Sequence, residues 1–220
     1  MRRLLPATLI FDFDGTIADT MNLTLSIYNE IAPEFGCRTV HDQDRELLRM
    51  RRPQDFFREY GMTFLKMPRF ATRVRNAIAR RIKEVNIFSG IAEVLGKLDD
   101  DGFTLGIISS NDEENIRAFL ATHHLDTLFD FIWSGKNLFG KAQVIKKCMR
   151  KLSIPAGRVA YIGDETRDVE AVKKNGIPMA AVTWGYSAAA VLKPLEPDAL
   201  VDTPEELYRW IIGHFGRDRR

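Results

Sequence analysis

The run Ala7-Thr8-Leu9-Ile10-Phe11, closing on Asp12-Phe13-Asp14-Gly15, constrains this chain more than any other stretch. A nearly unbroken apolar segment bounded by Pro6 and Gly15 reads as a parallel strand buried on both faces. In an open α/β sheet, ligands gather beyond the carboxyl ends of the strands, and two carboxylates stand there. The two-residue alternation of extended chain predicts that Asp12 and Asp14 project to the same side. Such a pair is costly unless a cation or a proton shares the space. Taken alone, Asp-x-Asp-Gly is an ordinary strand-closing turn. Three later segments change that reading.

The rest of the chain supplies the sheet that such a strand needs. From about residue 88, short apolar runs alternate with amphipathic segments. Strands are predicted at 103–108, 129–133, 159–162, 179–183 and 199–201, with helices near 91–98, 116–120, 141–152 and 169–172 between them. Thr203-Pro204-Glu205-Glu206 is a capping box that opens a terminal helix. This alternation predicts an α/β, Rossmann-like core, a parallel sheet with helices on both faces. Residues 19–87 break the pattern. They carry helical spacing only: Ile17, Met21, Leu25, Tyr28 and Ile31 lead in, Leu47, Leu48, Phe56, Phe57 and Tyr60 form one apolar set, and Phe70, Val74, Ile78, Ile82 and Val85 another. We therefore expect a core of 1–18 and 88–220, with a small all-helical domain of 19–87 inserted after the first strand.

Composition narrows the setting. Of 220 residues 45% are apolar and 28% charged, with a net charge of +2, which gives no reason to expect nucleic acid or a membrane as partner. The arginine-rich helix near 69–83 reads as a solvated face. No run approaches the roughly 18 apolar residues of a membrane span. Cys37 and Cys148 form no C-x-x-C pair and fit a reducing cytoplasm, where the chain is expected as a monomer or homodimer.

Three later segments carry chemistry. The second predicted strand ends in Ser109-Ser110-Asn111, a hydroxyl beside the free amides of a helix start, suited to a phosphate oxygen. Ser110 and Glu113 have capping-box spacing, which leaves Ser109 as the better ligand contact. Lys141 opens a helix, against the helix dipole, and hints at an anion to be neutralised; a solvated lysine is the plain alternative. Tyr161-Ile162-Gly163-Asp164-Glu165-Thr166-Arg167-Asp168 repeats the opening logic, a strand, a glycine, then acids. Aspartates at one edge of one sheet make an oxygen-rich site suited to Mg²⁺, and none of the four histidines has metal-ligand spacing, which disfavours zinc.

In order, Asp12-Phe13-Asp14-Gly15-Thr16, Ser109, Lys141 and Gly163-Asp164…Asp168 resemble the four motifs of the haloacid dehalogenase superfamily. The likeness extends over about 1–20 and 88–205, and the helical insert falls where that superfamily places a cap. Phe139-Gly140-Lys141 and Trp184-Gly185-Tyr186 are similar to its phosphoglycolate-phosphatase-like branch, whereas Asn111 departs from it, lysine being frequent there. The resemblance implies a Mg²⁺-dependent phosphatase acting on a small phosphorylated metabolite. Asp12 would attack phosphorus and form an aspartyl phosphate. Asp14 would act as general acid and base, and Ser109 and Lys141 would hold the phosphoryl oxygens. The metal ligands would be Asp12, the Asp14 carbonyl and Asp164, with Asp168 as a ligand through water or a partner for Lys141. Gly15, Thr16, Ser110 and Asn111 border this site and are expected to contact substrate. Arg49 and Arg52 of the insert could meet a carboxylate or second phosphate. A phosphomutase of the same fold is the nearest alternative, and a non-catalytic binding or regulatory protein a more distant one.

Overall fold

A computed structural model describes residues 7–51, 53–135 and 140–216. Arg52 and Phe139 lie outside them. Six strands, β1 (Thr8–Phe11), β2 (Thr104–Ser109), β3 (Phe131–Ser134), β4 (Val159–Gly163), β5 (Met179–Val182) and β6 (Ala199–Val201), form one sheet in the order β3-β2-β1-β4-β5-β6. Every neighbouring pair is parallel. The chain moves to one side of β1 to make β2 and β3, then returns to make β4 on the other. The edge where β1 and β4 end is therefore a topological switch point, where open α/β sheets bind ligands.

All four residues of β1 are buried, as the apolar run predicts. Leu9 and Phe11 pack on one face with Leu105, Ile107 and Ile162; Ile10 packs on the other with Ile108, Tyr161 and Met179. Helices α5 (Ile91–Asp100), α6 (Glu113–Thr122) and α10 (Pro204–Phe215) cover the first face. Helices α7 (Lys141–Lys151), α8 (Thr166–Lys173) and α9 (Ala189–Leu192) cover the second. Both faces are thus removed from water, the usual condition of a parallel sheet. Cys37 and Cys148 are buried and unpaired.

Between β1 and α5 the described residues hold helices and no strand: α1 (Met21–Ile31), α2 (Arg45–Arg49), α3 (Pro53–Glu59) and α4 (Met67–Arg81). The stem of this segment is tied together. Ala18 bridges Ile87 antiparallel, and the Asp19 amide donates to the Asn86 carbonyl at 2.9 Å. Inside, Tyr28 meets Phe56 and Phe70 with ring centroids 5.2 and 5.7 Å apart. Arg73 and Arg81 of α4 pair at the surface, with Glu34 and Glu30. Exposed pairs of this kind contribute little stability, and the face is a solvated one.

Four local expectations differ from the structure. Ile17 is not helical: the Phe13 carbonyl accepts from the amides of Ile17 and Ala18, and this turn delays α1 to Met21. Leu47, placed by spacing on an apolar face, is 53% exposed. At 203–206 the Glu206 amide does donate to Thr203 Oγ1 at 3.2 Å, but the glutamate carboxylate accepts from Asp202 rather than from Thr203. The capping box of Ser110 and Glu113 does not form. Helix α6 begins at Glu113 with Asp112 at its N-cap, because the turn is held instead by Ser109 and Asn111.

Candidate active site

The switch point brings the acids of two strands together. The Asp12 amide donates to the Ile162 carbonyl at 2.8 Å, which carries the β1–β4 pairing one residue past β1 and sets Asp12 beside the end of β4. One carboxylate oxygen from each of Asp12, Asp164 and Asp168, all buried, lies within 4.8 Å of the others. Lys141, also buried, donates from Nζ to Asp12 Oδ2 at 2.6 Å and to Asp168 Oδ1. Lysine at the start of α7 thus meets the buried anions that its unfavourable place on the helix suggested.

The charges there do not balance. Glu165 is matched by Arg167. When ionised, three buried carboxylates against one ammonium leave two negative charges without a counter-charge. Burial pushes the Asp12 carboxyl up to about 7 despite the pull of Lys141. Burial also drives Asp164 well above the usual carboxylate range, helped by Glu165, Asp12 and Asp168. Burial alone would lower Lys141, yet Asp12 and Asp168 hold its ammonium well above the ordinary lysine value. A divalent cation is the counter-charge that fits, and an all-oxygen donor set suits a hard one.

The neighbouring residues shape this cluster rather than reach outward. Thr16, expected at the substrate, donates its hydroxyl to Asp164 Oδ1 at 2.9 Å, and its amide is used by the Phe13 carbonyl. The amide of Gly15, expected at the same place, donates to the Ala18 carbonyl at 2.9 Å. Gly15 has φ +78°, and a Cβ there would stand 2.2 Å from Asp164 Oδ2. At Gly185 a Cβ would meet Asp164 Oδ2 at 2.3 Å and the Gly15 carbonyl oxygen at 2.3 Å. The Tyr186 amide donates to Asp164 Oδ2 at 2.7 Å. Asp168 Oδ2 accepts from the Glu165 amide within a capping box that starts α8, so this side chain orients Lys141 while fixing the helix.

Asp14 stands apart. Its carboxylate is not in the cluster of three; it accepts from Asn111 Nδ2, with both oxygens at 3.2 Å. The expected alternation does not carry from Asp12 to Asp14. Asp12 still continues the β1–β4 pairing, but the chain turns at Phe13, whose carbonyl accepts from the amides of Thr16, Ile17 and Ala18, and Asp14 instead bridges to Ala18. Burial raises the Asp14 carboxyl above its ordinary value, opposed by hydrogen bonds from Thr20 and Asn111. Asn111, expected to touch substrate, holds this acid, and its own amide oxygen is fixed by Asp112 and Asn115. Ser109 Oγ accepts from the Asn111 amide at 3.1 Å and keeps its hydroxyl proton to donate. Ser110, freed from capping, lines the cavity above Asp14.

Of the two insert arginines expected at the substrate, Arg52 lies outside the described residues and Arg49 is engaged by the core. Arg49 donates to the carbonyls of Thr183 and Gly185, at 2.7 and 3.1 Å, and so docks α2 on the core loop instead of presenting its charge to a substrate. Two residues that the sequence reading left without roles belong to the site. The Tyr186 hydroxyl bonds to Thr20 and Thr24 and joins the core to α1. Arg167 lies between two cavities, with Nε buried and without a partner among the described residues. Its position among the acids of 164–168 was the available signal.

Residues 9–182 match the family of haloacid dehalogenase-like hydrolases. The chain is 34% identical to a phosphoglycolate phosphatase of Synechococcus elongatus over 199 residues, 90% of this chain and 94% of that protein. It is 22% identical to the pyrophosphatase PpaX of Oceanobacillus iheyensis, over 91% of this chain and 94% of the relative. A predicted phosphatase from Clostridium acetobutylicum superposes with a TM-score of 0.83 at 25% identity, covering 96% of this chain and all of that one. No helix among the described residues is long and apolar enough to cross a membrane.

Proposed function

Because the chain belongs to the haloacid dehalogenase-like hydrolases, we propose that this phosphatase hydrolyses a small phosphate monoester with Mg²⁺, through an aspartyl phosphate on Asp12. The observation that carries the reading is the division of labour between the two acids. Asp12 lies among buried anions beside Lys141, and Asp14 is held separately by Asn111 at the wall of a cavity.

A carboxylate oxygen of Asp12 attacks phosphorus as the bond to the leaving oxygen breaks, and Asp14 gives that oxygen its proton. Water then attacks the phosphorus of the aspartyl phosphate, Asp14 takes the proton back, and inorganic phosphate leaves as Asp12 is restored. Lys141 and the Ser109 hydroxyl hold the phosphoryl oxygens that gain charge. Asp12, the Asp14 carbonyl and Asp164 would hold Mg²⁺, with Asp168 behind them. When bound there, the cation offsets the charge of the carboxylates and of the phosphoryl group. The helical segment 19–87 acts as a cap over the site, its stem at Ala18 and Ile87 serving as the hinge.

Asp14→Asn tests the second acid. It should slow alkyl phosphate hydrolysis by about 10²–10⁴-fold, the usual worth of a positioned acid or base. An activated aryl phosphate needs no proton on its leaving group and should still phosphorylate the variant, so a phosphoprotein accumulates and is seen by mass spectrometry. Wild-type rates on alkyl esters would remove Asp14 from the mechanism.

Gly185→Ala tests the shape of the metal site. The new methyl meets both the Asp164 carboxylate and the Gly15 backbone carbonyl, which must shift, an overpacking cost of roughly 1–3 kcal/mol that is felt at a ligand. The half-saturating Mg²⁺ concentration for phosphate release should rise about 10-fold. An unchanged Mg²⁺ dependence would show that Asp164 does not need this room.

A further inference from the structure

The described residues line an open cavity of about 270 Å³ between the helical segment and the carboxyl edge of the sheet. Its wall on the helical side is apolar and aromatic, with Tyr28 of α1, Phe56 and Phe57 of α3, and Phe70 and Val74 of α4. On the core side it is closed by Asp14, Ser110 and Asn111, while Asp12, Asp164 and Lys141 do not line it. The cavity begins where the phosphoryl site ends.

Resting on the phosphatase reading above, we propose that the substrate is a phosphate monoester whose alcohol is a bulky, mainly apolar group, of about six carbons or more, seated in this cavity. The acid that protonates the leaving oxygen must lie within hydrogen-bond reach of it. Asp14 forms part of the cavity wall, so an alcohol whose oxygen meets Asp14 can extend into that space. The volume suits it. An apolar cavity of roughly 150 Å³ takes up benzene, so this one holds a ring with a short linker.

The cationic side chains around the cavity are for the most part engaged already. Arg51 is paired with Glu59 and Arg167 with Glu165, and Arg75 donates to Thr72 Oγ1 at 3.2 Å. A two-carbon acid such as the alcohol of phosphoglycolate would meet one free donor there among the described residues, the buried Arg167 Nε, and would compete with Glu59 for Arg51. It would also leave most of the aromatic wall against water, where a larger apolar group removes that area from solvent.

The test compares kcat/KM for 2-phenylethyl phosphate, ethyl phosphate and phosphoglycolate, each with Mg²⁺. The two neutral alcohols are similarly poor leaving groups, so a difference between them reports binding rather than chemistry. The phenylethyl ester should exceed the ethyl ester by about 10- to 100-fold, the factor that burial of a phenyl ring corresponds to. Ala71→Phe, which puts a ring into the cavity from α4, should bring that ratio toward one. Because both esters are read in the same preparation, a loss of folded protein cancels. Equal rates on the two alkyl esters, or a preference for phosphoglycolate over both, would overturn the inference and leave the phosphatase reading intact. Release of no phosphate from any of the three, with no phosphate on Asp12, would overturn both.

Discussion

Asp12→Asn should abolish phosphate release, by at least about 10⁴-fold on any accepted ester, and should leave the fold in place. The amide nitrogen or oxygen cannot form the acyl phosphate, so loss of the nucleophile removes the covalent route altogether. The fold should survive because Asp12 is one of three buried carboxylates facing one ammonium. Replacing it by a neutral group of the same shape removes one uncompensated negative charge and keeps Asp168 as a partner for Lys141. In metal-free buffer the thermal midpoint of the variant should therefore match or exceed that of the parent. Phosphate release and a melting curve on one preparation decide it. Turnover at the parental rate would remove Asp12 as nucleophile, and an unfolded variant would show that its charge is needed by Lys141 more than it is resisted by Asp164.

Removal of divalent metal is the second large effect. EDTA should reduce turnover to background, and Mg²⁺ should restore it where Zn²⁺ does not, since the donors are carboxylate oxygens with no imidazole or thiolate among the described residues of the cluster. The same charge argument gives a readout apart from activity. A cation that binds only the folded chain stabilises it by mass action, about 2.7 kcal/mol at a hundred times its dissociation constant. Mg²⁺ should raise the melting temperature of the parent, and should raise that of Asp164→Asn much less. Full activity in a preparation free of metal would reject the metal site, as would a melting temperature indifferent to Mg²⁺.

Much of this was legible in the chain because it is local. The apolar run into Asp12, the glycines and acids after the strands, and the helical spacing of 19–87 each report one element and what stands at its end. A buried strand must be apolar on both faces, and a parallel strand must be followed by a crossover, so β1 and the α/β core follow from residues close together in sequence. The haloacid dehalogenase-like pattern is a set of such strand ends in order, and the family match bears it out.

What only the tertiary structure decided is which atoms meet across the sheet. Thr16 bonds to Asp164 across 148 positions of chain, and Lys141 to Asp12 across 129. Such pairs depend on strand order and register, which no periodicity within one element reports. Hydrogen-bonding side chains go to the nearest buried group that lacks a partner, and that is settled by packing. Hence Thr16 serves Asp164, Asn111 serves Asp14 while also lining the cavity, and Arg49 serves two carbonyls of the core loop, none of which the sequence showed. The aromatic residues of the insert are the same case. Their spacing marks a buried helix face, and only the docking of that face over Asp14 makes part of it the wall of a cavity.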